Sequence, residues 1–417
     1  MLFLYRVLIN FVILISPIII IFRLMKNKES LTRFKEKFCF FSKKRSNGKL
    51  IWFHGASVGE IQSIVPLLEK LEKKNDISQI LVTSNTLSSS KIMEKIKLKK
   101  VIHQFFPIDT NFFSLKFLNY WKPSHAFFID SEIWPNMIFN LEKKDVSFGI
   151  INGRITKKSF NNWKIFPDFS QKIFSKFKIC MAASNESKNY LEKLGVKKVK
   201  FFGNLKFSQT ENEKIIFDKS LKKFIKSRKI WCASSTHKAE EMFCGIVHKR
   251  LKKRHKNLLT IIIPRHIERV RSIKKDLENL NLRIHLHEPK KEIEKNTDIY
   301  IVNAYGKTKS FYSNCKNIFL GGSLIKHGGQ NPLEATRFGC KILHGPNVSN
   351  FKEIYNFLKK NKVSNQIKTQ SRMISELQKL FNKKSGSKKI LKKFDLIGRN
   401  ILQKTFNEIN LSLKNEI

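Results

Sequence analysis

The chain has 417 residues, too many for one ordinary core, and its 41% hydrophobic content can supply the cores of two or three domains. Its 81 Lys plus Arg against 33 Asp plus Glu leave a formal net charge of +48, which calls for a polyanion as partner: nucleic acid, anionic lipid or a phosphorylated substrate. The basic residues are spread along the chain with no RNP-type aromatic motif or Cys/His finger, which argues against nucleic acid, and Cys39, Cys180, Cys232, Cys244, Cys315 and Cys340 show no C-x-x-C spacing, which argues against a disulfide framework or zinc site.

Residues 7–22 are apolar except for Asn10 and Ser16, are interrupted by Pro17 and follow Arg6. That run is a little short of the ~20 residues that span a bilayer, although Met1 to Tyr5 extend it if Arg6 snorkels. No small-x-small cleavage site follows; Arg23, Lys26, Lys28, Arg33, Lys35 and Lys37 do. The pattern predicts either an uncleaved anchor or a helix lying in the interface. Its basic collar would sit on an anionic membrane surface, with everything after residue 22 on the cytoplasmic face.

Residues 51–60, Ile-Trp-Phe-His-Gly-Ala-Ser-Val-Gly-Glu, combine an apolar run that stops at His54 with a small-residue loop delivering Glu60 to a helix. Ile61, Ile64, Val65, Leu67, Leu68 and Leu71 have the helical spacing. Strand, Gly-containing loop and helix in this order place backbone N–H groups and a side chain at the carboxyl edge of a parallel sheet. Ser57 and Glu60 also have capping-box spacing, so Glu60 reads either as a cap or as a catalytic carboxylate.

Further apolar runs at 80–83, 103–108, 125–129, 146–151, 179–183 and 199–202 read as strands, alternating with helical segments such as 91–98 and 185–194, the latter closed by Gly195. A polar stretch extends to about residue 226, and the rhythm restarts with strands at 229–233, 258–263, 282–286, 299–302, 318–320 and 341–343. Residues 383–389 read as a Lys/Ser/Gly loop. The alternation predicts an α/β protein with two Rossmann-like, doubly wound parallel-sheet domains facing a cleft. The expected division is 1–25 as anchor, 26–210 as first domain and 211–417 as second, with a final helix at about 388–413 packing back on the first domain.

Polar and small residues interrupt the pattern at four more strand ends. Glu132, in Asp130-Ser131-Glu132-Ile133-Trp134-Pro135-Asn136, is a functional carboxylate or a helix cap, and the rigid aromatic turn beside it favours function. Asn204 and Lys206 close the first domain; the lysine is a solvated surface group or a point charge for a departing anion. Arg265, in Pro264-Arg265-His266, suits bidentate phosphate recognition, with His266 as a structural partner. Gly321-Gly322-Ser323 and Gly328-Gly329-Gln330-Asn331-Pro332-Leu333-Glu334 let backbone approach a ligand, Asn331 acting as N-cap and Pro332 as first helical residue. Glu334 either holds a ribose diol or completes a capping box.

Taken in order, these stretches resemble the 3-deoxy-D-manno-octulosonic acid (Kdo) transferases of lipopolysaccharide synthesis, two-domain GT-B glycosyltransferases with an N-terminal membrane anchor. The resemblance rests on Ser57-Val58-Gly59-Glu60, Glu132 with Trp134-Pro135-Asn136, Asn152-Gly153-Arg154, Gly203-Asn204-Leu205-Lys206, Ser235-Thr236-His237, Pro264-Arg265-His266, Gly321-Gly322-Ser323, Asn331-Pro332-Leu333-Glu334 and Gly345-Pro346 with Asn350-Phe351. It implies transfer of Kdo from CMP-Kdo to a lipid A precursor, lipid IVA, at the cytoplasmic face of the inner membrane. Residues 26–210 would bind the acceptor and 211–417 the donor. By the same resemblance Glu60 matches the general base, and Glu132 and Lys206 match positions that stabilise the transition state. Pro264, Arg265, Gly306, Lys307, Thr308, Asn331, Pro332, Leu333 and Glu334 match the CMP site. No cofactor is implied and, without a D-x-D signature, no metal.

The chain departs from the family pattern in several places. Lys307 stands where an acidic residue is usual, Asn303-Ala304 where Asp-Thr is usual, Gln330 where His is common, and Thr83-Ser84-Asn85-Thr86 lacks a loop-ending glycine. Two other readings stay open: another GT-B nucleotide-sugar transferase or epimerase, and a non-catalytic basic membrane-binding protein.

Overall fold

The structure, a computed structural model, describes residues 1–209, 217–289, 292–382 and 387–414. The chain divides into two compact units, Met1–Thr210 with Leu396–Ile417, and Glu211–Asp395. Part of the polar stretch before residue 226, the expected boundary at 210/211 and residues 383–386 of the Lys/Ser/Gly loop lie outside the described residues; helix resumes at Ser387.

The first unit is built on seven strands: β1 (Leu50–His54), β2 (Gln79–Ser84), β3 (Val101–Phe105), β4 (His125–Ile129), β5 (Ser147–Gly153), β6 (Ile179–Ala182) and β7 (Val199–Phe201). All pairings are parallel, in the order β3-β2-β1-β4-β5-β6-β7. Apolar runs are what such strands require, because helices cover both faces. Leu50 and Trp52 point into one core with Phe117, Trp121 and Phe128. Ile51 and Phe53, between them in sequence, enter the other core with Ile61, Leu67 and Phe127.

The second unit repeats the plan with β8 (Lys229–Thr236), β9 (Leu258–Pro264), β10 (Ile284–Leu286), β11 (Ile299–Ile301), β12 (Asn317–Leu320), β13 (Lys341–His344) and β14 (Ser364–Gln366), again parallel, in the order β10-β11-β9-β8-β12-β13-β14. β14 is polar and lies at the edge with only Ser364 buried, so it carries no apolar run to announce it. The sheet order reverses between β1 and β4 and between β8 and β12; in open α/β sheets such switch points are where ligands bind, at the carboxyl ends of the strands.

The C-terminal helix Ser387–Lys414 belongs to the first unit from Leu396 onward, not to the second as the expected division had it. Ile401, Leu402, Ile409 and Leu413 join the core of Ile51 and Phe53. Gly398 lets the helix meet the Phe207 carbonyl, which a Cβ at that position would approach to 2.4 Å.

At the other end, Leu2–Met25 forms one helix of 24 residues, of which only Ser16 and Ile20 are buried. Phe3, Leu8, Phe11, Leu14, Ile18 and Phe22 are exposed. Its first turns are tied to the first unit. Tyr5 donates its hydroxyl to Asp109 Oδ2 at 2.7 Å, and Arg6 donates to Asn136 Oδ1 at 2.9 Å and Asn111 Oδ1 at 3.1 Å. Arg6 is thus held by asparagines of the first unit instead of reaching for a headgroup. The collar is also partly internal: Arg23 and Lys37 pair with Glu29, and Arg33 with Glu36 at 2.7 Å, while Lys26, Lys28 and Lys35 remain exposed.

Candidate active site

At the first switch point the loop after β1 runs into the helix Val58–Glu72. Ser57 is its N-cap and the capping box is complete. Glu60 Oε2 accepts from the Ala56 amide at 2.7 Å, and Glu60 Oε1 accepts from the Ser57 hydroxyl at 2.7 Å. Capping does not exhaust this carboxylate. Burial, followed by the negative charge of Asp130 and, more weakly, of Glu132, pushes the Glu60 pKa from 4.5 up to about 7 against the opposing bonds from Ser57 and Ala56. A carboxyl group poised near neutrality can hold a proton or release it at working pH.

Asp130, directly after β4, takes a left-handed backbone conformation, φ 57°. It accepts from Lys206 Nζ at 2.9 Å and from Asn152 Nδ2. Asn152 Oδ1 in turn accepts from the Leu205 amide at 2.8 Å, and Asn204 Oδ1 from the Lys206 amide at 2.9 Å. Lys206 is therefore no loosely solvated lysine. The ends of β4, β5 and β7 lock it in place, and its Cε lies 4.0 Å from where a Cβ on Gly59 would stand. Asp130 was not singled out from the sequence. Its only local signal is an acidic residue directly at the carboxyl end of a buried strand.

Glu132 accepts from Trp134 Nε1 at 3.0 Å and lies 3.3 Å from His54 Nε2. Trp134 also borders an apolar groove of about 460 Å³, walled by Leu4 and Leu8 of the N-terminal helix, Ile133, Trp163 and Phe166. A larger cavity of about 580 Å³ lies at the opposite edge of this sheet, between Ser124, Ser147 and the C-terminal helix, away from Glu60 and Glu132.

In the second unit the expected donor residues gather at the carboxyl ends of β9, β11 and β12. Pro264 ends β9 opposite Thr236, whose carbonyl accepts from the Arg265 amide at 3.0 Å, and the Arg265 side chain is exposed. Gly306 has φ 75° and open space around it; Lys307 and Thr308 follow it into the helix Thr308–Asn314. Asn303, in the departing Asn-Ala pair, is used up on the Glu288 backbone through two bonds of 2.7 Å. Asn331 Oδ1 accepts from the Leu333 amide at 3.1 Å, so Asn331 does cap, but the helix Leu333–Arg337 is one turn long and begins one residue later than expected, leaving Pro332 at its N-cap. Glu334 follows, half-buried.

The Gly321-Gly322-Ser323 stretch differs from expectation. Its amides are not open to a ligand, because the buried carboxylate of Glu240 fills them. That carboxylate accepts from the backbone N–H of Gly322 at 2.7 Å, Ser323 at 3.1 Å, Leu324 at 3.0 Å and His237 at 3.0 Å. Gly321 is glycine for close packing: a Cβ there would stand 2.5 Å from the Ser235 carbonyl and 2.7 Å from Glu240 Oε2. The sequence offered no hint of Glu240 beyond its place in a helix start. Beside it the His237 ring lies tilted against His327, centroids 4.3 Å apart; burial, then the charges of His327, His266, Arg265 and Arg269, lower its pKa to about 4.

The sequence comparisons with known proteins agree on a family. The sequence profile described as 3-deoxy-D-manno-octulosonic-acid transferase (kdotransferase) matches residues 32–209. The 3-deoxy-D-manno-octulosonic acid transferase of Rickettsia bellii is 34% identical over 369 residues, 88% of this chain and 87% of that one. That of Haemophilus influenzae is 29% identical over 312 residues, 74% of this chain and 73% of that one. Among solved structures, a glycosyltransferase from Rickettsia africae superposes with TM-score 0.59 at 13% identity, covering 89% of this chain and 100% of its own. The UDP-GlcNAc 2-epimerase of Neisseria meningitidis bound to UDP-GlcNAc gives TM-score 0.56 at 14% identity, covering 88% and 100%. At such identities these structures establish the GT-B-like fold and nothing about substrate.

Proposed function

Because the chain belongs to the Kdo transferase family, and is thereby a glycosyltransferase of lipopolysaccharide synthesis, we propose that it transfers Kdo from CMP-Kdo to a glucosamine hydroxyl of lipid IVA with Glu60 as general base. The acceptor oxygen attacks the anomeric carbon as the bond from that carbon to the CMP phosphate oxygen breaks. The hydroxyl proton passes to Glu60, and CMP departs with the electron pair. Glu132 and Lys206 act on the charge that develops in the transition state, and Arg265 with the turn at Gly306, Lys307 and Thr308 and the segment Asn331 to Glu334 holds CMP. The observation that carries this reading is the pKa of Glu60, brought to about 7 by burial and by Asp130 while Ala56 and Ser57 fix its direction. A positioned base of that strength is worth about 10²- to 10⁴-fold in rate.

The lipid acceptor is supported by the apolar groove beside Trp134 and by the outward apolar face of the N-terminal helix. That helix is continuous with the first unit at its C-terminal end and bonded to it through Tyr5 and Arg6 at the other. A helix held at both ends by one globular unit does not put a bilayer between them. We therefore place it in the cytoplasmic leaflet of the inner membrane, lying along the surface with Lys26, Lys28 and Lys35 toward anionic headgroups.

Incubation of the purified protein with lipid IVA and CMP-Kdo, followed by mass spectrometry of the lipid, tests the reaction: a mass increment of Kdo is expected, and transfer only from a UDP-sugar overturns it. Glu60→Gln keeps a capping side chain but accepts no proton, so a folded, CMP-binding and inactive variant is expected. Near-normal turnover would return Glu60 to the role of a cap.

A further inference from the structure

Behind Glu132, which accepts from Trp134 Nε1, lies a chain of buried polar groups that the reaction as described does not use. Trp52 and His54 share one face of β1, and His54 lies opposite Thr83 in the parallel register with β2. Thr83 Oγ1 accepts from Trp52 Nε1 at 2.9 Å and stands 2.9 Å from His54 Nδ1. The hydroxyl has one proton to give, and its two possible acceptors are His54 Nδ1 at 2.9 Å and the Phe53 carbonyl at 3.4 Å. If the hydroxyl gives its proton to Nδ1, the ring proton sits on Nε2; if Nδ1–H donates instead, the hydroxyl is left with the longer Phe53 contact and Nε2 becomes a buried acceptor.

Nε2 is completely buried, has no aligned hydrogen-bond partner, and finds Glu132 Oε2 at 3.3 Å. The imidazole cannot turn elsewhere, since Phe106 stacks on it at 3.9 Å and Phe128 and Trp134 close on its edges. In the second tautomer the buried Nε2 lone pair would face Glu132 Oε2 across 3.3 Å, acceptor against acceptor, which leaves Nε2 unsatisfied; the Nε2–H tautomer avoids this.

We infer that the chain Trp52–Thr83–His54 is a relay that fixes the Nε2–H tautomer of His54 and thereby aims the Glu132 carboxylate, making Thr83 and His54 positioning residues for the transfer. This rests on the role proposed for Glu132. The contact between Nε2 and Glu132 tightens into a hydrogen bond when the acceptor is bound, as catalytic contacts that are loose in the free enzyme do.

The test is a double-mutant cycle read in kcat, using Thr83→Val, which keeps the β-branched shape but can donate nothing to Nδ1, and Glu132→Gln. Thr83→Val alone is expected to lower kcat roughly ten- to a hundredfold, the size of effect seen when a partner that orients a histidine is removed, with the KM for CMP-Kdo unchanged. On the Glu132→Gln background the same substitution is expected to add nothing. Equal losses on both backgrounds, or no loss from Thr83→Val, overturn the relay. Full activity of Glu132→Gln instead removes the role of Glu132 on which the relay rests. Should Thr83→Val fold poorly, His54→Gln and His54→Leu give the same answer. Gln carries an N–H to the position of Nε2 and restores most of kcat, Leu does not, and equal activity of the two refutes the relay.

Discussion

Asp130→Asn separates the electrostatic account of Glu60 from a purely steric one. Asparagine tolerates the left-handed backbone at this position, and its carbonyl oxygen keeps the bond from Lys206 or the bond from Asn152, the new amide nitrogen turning toward the other donor. The substitution removes the leading like charge acting on Glu60, which favours ionised Glu60. A fall of about one pKa unit, about 1.4 kcal/mol, is a moderate value for the loss of one neighbouring like charge. A general base works deprotonated, so kcat/KM rises with pH through the Glu60 pKa. From a starting value of about 7, that fall raises the ionised fraction at pH 6 from about one-eleventh to about one-half. The ratio of kcat/KM at pH 6 to that at pH 8.5 should therefore increase about fivefold. This ratio is insensitive to any change in plateau rate. An acid limb that stays near pH 7, or moves up, would refute the reasoning and leave burial and Glu132 as the causes.

Glu60→Gln should stabilise the protein in a pH-dependent way. Because the folded pKa of about 7 lies above the unfolded 4.5, wild-type stability falls as pH rises between those values, so the variant gains up to roughly 3 kcal/mol at pH 8 and nothing below pH 4.5 in urea unfolding. Glu240→Ala strands four backbone N–H groups, three of them buried, and should cost roughly 3 to 5 kcal/mol in the same measurement, with CMP binding lost in calorimetry; unchanged CMP affinity would show that the loop holds without its internal anion. Gly321→Ala sets a methyl 2.5 Å from the Ser235 carbonyl and should weaken CMP binding while the first unit, followed by Trp52 and Trp121 fluorescence, stays native.

The two sheets could be read from the chain because each buried parallel strand is a short, nearly continuous apolar run closed by small or polar residues. Only β14, polar and at an edge, escaped that logic, since Ser364-Asn365-Gln366 has no apolar face to advertise. Glu60, Glu132, Lys206 and Arg265 could be picked out for the same local reason: each lies in the loop or first helical turn that follows a strand. What could not be read were the groups whose meaning comes from residues far away in sequence. Asp130 matters because Lys206, 76 residues later, comes to rest on it. Glu240 matters because a loop more than 80 residues on folds its amides around the carboxylate. His54 looked like the end of an apolar run until β2 brought Thr83 alongside. Capping-box spacing at Glu60 was real and still did not decide the question, because a residue can tie off a helix and carry a shifted pKa at once.

The bonds from Tyr5 and Arg6 bear on how this protein can be handled at the bench. An N-terminal apolar helix is the usual first deletion when a soluble version is wanted. Here that cut would strip the Tyr5 hydroxyl from Asp109, whose carboxylate also caps the amides of Asn136 and Met137. Burial already pushes the Asp109 pKa up to about 7 against the pull of Tyr5, Met137, Asn136 and Arg6, and the deletion would take two of those four supports away. It would also unroof Ile133 and Trp134, the residues next to Glu132. Loss of activity in a shortened protein would thus report a disturbed candidate site as readily as a lost membrane. Detergent extraction of the intact chain, or polar substitutions confined to the outward positions Phe3, Phe11, Leu14 and Ile18, is the cleaner route to a protein that dissolves and still works.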